Sequence, residues 1–100
     1  MLRLRPLYII LFCCVFTAQA QHVFKGIVVD ALSSVSIPNA HVKLNDSFGV
    51  VSDENGRFEL SGLSSGTYLL EVSCVGFKGF KKQINLTKKV LYFDVVLQPD

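Results

Sequence analysis

The chain contains no tryptophan, one methionine, three prolines and two histidines, His22 and His41, in 100 residues. Without tryptophan, a sugar-binding platform is left with Phe48, Phe77 and Tyr92 as its plausible exposed rings, and core or edge packing is the commoner fate of such residues. His22 and His41 stand apart from any cysteine, so neither belongs to a cluster at zinc-ligand spacing. Cysteine is equally scarce. Cys13 and Cys14 lie in one apolar run, which leaves Cys74 alone in the rest of the chain. A single cysteine forms no internal disulfide, and its place on an apolar face with Leu70 and Val72 suits a small packed hydrophobe.

Long apolar runs are also missing. The longest, Leu7 to Phe16, has about half the roughly 20 residues that a bilayer-spanning helix needs. Arg3 and Arg5 precede it and Thr17-Ala18-Gln19-Ala20 follows. A basic start, a short apolar core and an Ala-x-Ala end make residues 1–20 a secretory signal peptide, with Ala18 and Ala20 before the cut and Gln21 after it. Cys13 and Cys14 sit inside the apolar core rather than after small residues at its end, which argues against a lipidated cysteine.

Removing this segment takes away the basic excess. Eight basic residues then face eight acidic ones over residues 21–100. A neutral chain offers no electrostatic case for nucleic acid or an anionic membrane. Lys78, Lys81, Lys82, Lys88 and Lys89 read as a solvated strand edge whose charges discourage edge-to-edge pairing. The remaining 80 residues suffice for one small core of marginal stability.

What is present is strand patterning. Phe24 to Asp30 is a β-branched first strand, and Ala40, Val42 and Leu44 alternate with polar residues in a second. Phe48 to Ser52 is a third. The stretch Val51 to Ser73 reads as a hairpin-like unit. The turn Asp53-Glu54-Asn55-Gly56 leads to a strand with Phe58 and Leu60 inward, and Gly62 to Gly66 turns into one with Tyr68, Leu70 and Val72 inward. Phe80, Ile84 and Leu86 face inward from a sixth strand. Leu91, Phe93, Val95 and Leu97 do so from a seventh, which Pro99 ends. Seven short strands between turn signals, with no helix after residue 21, predict a small all-β antiparallel sandwich. Its expected core is Phe24, Val28, Ala40, Val42, Leu44, Phe58, Leu60, Tyr68, Leu70, Val72, Phe80, Ile84, Leu91, Phe93 and Val95.

Chemical motifs are weak. Gly62-Leu63-Ser64-Ser65-Gly66 matches the G-x-S-x-G nucleophile elbow, but that elbow needs a following helix and a later histidine. A strand follows here, and no histidine lies beyond His41, so a turn is the reading. Asp53, Glu54 and Asn55 resemble the start of a calcium loop, yet the twelfth position from Asp53 is Ser64 rather than the glutamate an EF-hand requires. A weak calcium site at Asp53 and Asn55 is left open, with a plain turn preferred. Asn45-Asp46-Ser47 and Asn85-Leu86-Thr87 fit the glycosylation pattern, which matters only in a eukaryotic secretory route.

The ordered series Gly26-Ile27-Val28-Val29-Asp30, Pro38-Asn39-Ala40-His41-Val42, Asp53-Glu54-Asn55-Gly56-Arg57-Phe58, Gly66-Thr67-Tyr68 and Val72 to Phe77 resembles the carboxypeptidase regulatory-like domain over about residues 23–97. The resemblance implies a transthyretin-like, Greek-key sandwich of seven strands. It also implies a setting: such domains follow the signal peptide of SusC-type, TonB-dependent outer-membrane receptors in Bacteroidota-like bacteria. Transthyretin-like folds include a purine-pathway hydrolase built on several histidines and an arginine. Two histidines and Arg57 do not supply that set.

The reading is therefore a non-catalytic exported accessory domain without cofactor. It belongs to a nutrient receptor of the periplasm or outer membrane, or is a truncated remnant of one, and its partners are envelope proteins or the rest of the receptor. The alternative is a free-standing module that binds glycan or peptide. N-terminal sequencing of the exported protein is expected to begin Gln21-His22-Val23. A start at Met1 would show an uncleaved anchor instead.

Overall fold

The computed structural model describes residues 21–100. The expected signal peptide, residues 1–20 with Ala18 and Ala20, lies outside the described residues. Eight strands follow in order: β1 (His22–Asp30), β2 (His41–Leu44), β3 (Phe48–Val51), β4 (Arg57–Leu63), β5 (Gly66–Ser73), β6 (Phe80–Leu86), β7 (Val90–Tyr92) and β8 (Val95–Leu97). One sheet runs β4-β1-β7, with β8 also paired to β1, and the other runs β3-β2-β5-β6. The all-β sandwich expected from the alternation is present.

Its core lies between the sheets. Phe24 and Val28 of β1, Leu63 of β4, Val95 of β8, Val42 and Leu44 of β2, Leu70 of β5 and Leu86 of β6 are all fully buried. All but Leu63 come from the inward positions of an alternating strand, where successive side chains point to opposite faces. Leu63 turns inward out of phase with Phe58 and Leu60, where the pairing of β4 with β1 shifts register. Phe24 and Phe58 meet with ring centroids 5.4 Å apart and planes tilted by 49°. Burying one such large apolar side chain stabilises the fold by about 1.5–3 kcal/mol.

Three expectations are revised. Phe58 and Tyr68 do not belong to a hairpin. β4 pairs with β1, whereas β5 pairs with β2 and β6, so the turn at Ser64-Ser65 crosses from one sheet to the other. Both strands bury one face, and placing them in opposite sheets points both faces into a single core.

The seventh strand is two strands. β7 and β8 both run parallel to β1, pairing Val23–Lys25 with Val90–Tyr92 and Val28–Asp30 with Val95–Leu97. The gap falls opposite Gly26, where a Cβ would stand 1.9 Å from the Phe93 carbonyl oxygen. The Phe93 amide donates to the Lys25 carbonyl at 2.9 Å. The chain thus presses its backbone onto a bare Cα, and the ladder breaks there. The sandwich is antiparallel except along this seam.

The core also differs in membership. Phe80, Leu91 and Phe93 are only partly buried against it, Ile37 and Leu63 join it, and Leu86 and Leu97 are buried as their inward positions on the sixth and seventh strands required. Leu63 was assigned to a turn, but β4 continues through it. Ile37 lies in a loop that folds over the core, which alternation does not report.

A paired truncation separates the two kinds of phenylalanine. Phe24→Ala is expected to cost about 3–5 kcal/mol. Phe93→Ala, at a partly exposed site beside Phe80, is expected to cost about 1–2 kcal/mol. Urea unfolding curves with unchanged slopes would measure both, and equal losses would show Phe93 to be a full core residue.

Candidate functional site

The residues with chemical potential serve the backbone. Asp53 Oδ1 accepts the amide hydrogens of Asn55 at 2.8 Å and Arg57 at 2.9 Å, and its carbonyl accepts the Gly56 amide at 2.9 Å. This is a turn held by its own aspartate. Gly56 has φ +76°, and a Cβ there would lie 2.7 Å from Ser36 Cβ and 2.9 Å from the Val28 carbonyl oxygen. The Gly56 carbonyl accepts the Val28 amide, and the Val28 carbonyl accepts the Ile37 amide, each at 2.8 Å. The Asp53–Gly56 turn is thereby wedged between β1 and the loop before β2.

Buried Ser52 completes that corner. Its hydroxyl donates to the Ile37 carbonyl and accepts the Ala40 amide, each at 2.8 Å. Asp30 Oδ1 accepts the Leu32 amide at 2.8 Å. Among the described residues no three of His, Cys, Asp and Glu gather as a metal-holding group.

The elbow motif is dispersed as well. Ser64 lies in the exposed turn between sheets, and its carbonyl accepts the Tyr68 hydroxyl at 2.7 Å. His22 stands in register with Leu63, next to that turn, but its Nδ1 faces the Lys88 carbonyl at 2.5 Å. A carbonyl only accepts, so Nδ1 carries the hydrogen. His41 is exposed on β2. Among the described residues nothing joins serine, histidine and acid into a relay.

The open outer face of the β4-β1-β7 sheet is different. A groove of about 460 Å³ runs over the backbone of Gly26, lined by Lys25, Arg57, Glu59, Tyr92 and Asp94. Register explains the convergence. Lys25 pairs with Glu59 on one side and Tyr92 on the other, and Ile27 pairs with Arg57. Asp94 follows at the break between β7 and β8. Tyr92 is 68% exposed, and Lys25 Nζ sits 5.1 Å from its ring centroid.

The charges of the groove are not paired with one another. Among the described residues the ion pairs are Lys43–Asp46 at 3.2 Å and Lys81–Glu71 at 3.7 Å, both elsewhere. A second hollow, beside Gly79 and Phe80 on the other sheet, contains that Lys81–Glu71 pair and is less than half the volume. Of the three rings picked out in the sequence, Tyr92 alone stands on a groove. Phe48 packs edge-on to Tyr68 at 6.3 Å, and Phe77 rests against the core. Alternation already placed Arg57, Glu59, Tyr92 and Asp94 outward. Their meeting depends on which strands pair, and no local signal carried that.

A family model described as the carboxypeptidase regulatory-like domain matches residues 23–98. No curated protein sequence matches the chain. Several solved structures share the fold. Catechol 1,2-dioxygenase from Acinetobacter sp. ADP1 superposes with a TM-score of 0.66 at 14% identity, over 83% of this chain and 54% of that one. BcpA, the major pilin subunit of Bacillus cereus, gives 0.66 at 15% identity, over 81% and 31%. GBS52, the minor pilin of Streptococcus agalactiae, gives 0.64 at 15%, over 82% and 46%. The chain thus spans only part of each, and at such identities the likeness concerns the sandwich alone.

Two glycine substitutions test the wedge. Gly62 also has a positive φ, +71°, but nothing lies within 4 Å of its Cβ position. Gly62→Ala is expected to cost about 1–2 kcal/mol from backbone strain alone. Gly56→Ala adds a clash with fixed backbone and is expected to cost at least about 1 kcal/mol more. Denaturation midpoints compare the two, and equal losses would mean the corner is not packed as described.

Proposed function

Because the chain belongs to the carboxypeptidase regulatory-like domain family, we propose that it is a non-catalytic accessory domain of an exported envelope protein. Specifically, it is the N-terminal domain, or a truncated remnant, of a TonB-dependent outer-membrane nutrient receptor. It would act in the periplasm or at the outer membrane, and its partner would be the rest of the receptor or a neighbouring envelope protein.

The observation that carries this reading is the parallel pairing of the first strand with the last two. Chain entering at His22 and chain leaving after Leu97 do so at opposite ends of the sandwich. That geometry carries the chain away from its own start, which suits a leading unit joined to more protein at its far end. At the leaving end the last residues are tied down, since Lys78 donates to the Gln98 carbonyl at 2.8 Å and Asp100 to the Gly76 carbonyl at 3.0 Å. The loops at that end expose Leu32 by 80% and Val75 by 97%. A second reading, a free-standing exported binding module, draws on the groove beside Tyr92.

The DNA downstream of the Asp100 codon tests the receptor reading. Read in three frames, it is expected to encode a plug followed by alternating barrel strands, in frame or beyond a frameshift. A stop codon followed by an unrelated gene would overturn the receptor assignment.

A further inference from the structure

We propose that the groove over Gly26 is a binding site for a neutral oligosaccharide, with the Tyr92 ring as its stacking surface. The inference goes beyond the receptor reading, because a free-standing domain would carry the same groove.

The chemistry narrows the ligand class. Lys25 and Arg57 offer only donors, and ionised Glu59 and Asp94 offer only acceptors. They surround one open hollow without pairing to each other. Sugar hydroxyls donate and accept at once, so a single pyranose can satisfy both kinds of partner. Hydrogen bonds to charged groups are the stronger kind. The flat C–H face of the ring suits an exposed tyrosine, which presents an apolar body with a polar tip.

The other classes fit less well. Two carboxylates beside two cations leave no net attraction for a phosphate or an acidic chain. A peptide adding as a strand needs a free backbone edge. β1, the strand beneath the groove, has none, since β4 fills one side and β7 and β8 the other, and the unpaired edges are the outer ones of β4 and β7 at the rims of the sheet. The Lys25 ammonium over Tyr92 does not block the site. An exposed cation–π contact is worth about 0.5–1 kcal/mol, and the lysine stem can swing aside.

The test is titration of the exported protein with malto-, cello-, xylo- and laminari-hexaose, read by amide chemical shifts. At least one sugar is expected to give saturable shifts centred on Gly26, Ile27 and Tyr92. Tyr92→Ala should weaken binding by about tenfold or more, while Tyr92→Phe, which keeps the stacking ring, should stay within about threefold. Asp94→Asn, on an exposed position, provides a second variant and should weaken binding with the fold unchanged by circular dichroism. Added salt should have little effect.

The proposal is overturned if none of the four sugars gives saturable shifts at those amides. It is equally overturned if binding survives Tyr92→Ala unchanged. It also fails if an extended peptide of alternating lysine and glutamate occupies the groove while the sugars do not. Each of these results leaves the downstream-DNA test untouched, so the two readings fail separately.

Discussion

The structure depends on a first strand paired along both edges. β1 holds β4 on one side and both final strands on the other, so the beginning and the end of the chain close one sheet together. Contacts this distant in sequence carry the largest loop-closure cost in the fold, which the burial they complete must offset. The approach is close at Gly26, where a Cβ would stand inside the Phe93 carbonyl. That one contact splits the last strand, seats Phe93 at the margin of the core and leaves Tyr92 and Asp94 on either side of Phe93. The outer groove is a consequence of the same packing that closes the sheet.

A second constraint holds the opposite corner. Val28 donates to Gly56 and accepts from Ile37, while Ser52 fastens Ile37 and Ala40. These buried polar groups are all satisfied, as groups withdrawn from water must be. Gly56, Asp53 and the preceding Ser52 therefore find their purpose in backbone geometry. The stretches that carry the family resemblance supply the Gly26 floor and Arg57, while Lys25, Glu59, Tyr92 and Asp94 of the groove lie outside them. This separation is why a shared fold with pilins and dioxygenases says little about chemistry, since function lives in sites carried on folds.

Much was legible in the residues themselves. Period-2 alternation identified β2, β4, β5 and β6 and their buried faces, and Asp53-Glu54-Asn55-Gly56 was a turn on local chemistry alone. Those features depend on neighbours one or two positions away: side chains alternate across a strand, and an aspartate reaches its own following amides. The outward character of Arg57, Glu59, Tyr92 and Asp94 followed from the same alternation.

Pairing was decided by the tertiary structure. Nothing local distinguishes a hairpin between β4 and β5 from a crossing between sheets, because both bury the same residues. Nothing local shows that the last strand lies parallel to the first, that it breaks opposite Gly26, or that Ile37 folds inward from a loop. The burial of Leu63 and the gathering of five polar and aromatic side chains into one groove arise in the same way. Alternation determines which face of a strand is buried. Which strand lies beside it is settled by filling one core from two sheets, and that is a property of the whole chain.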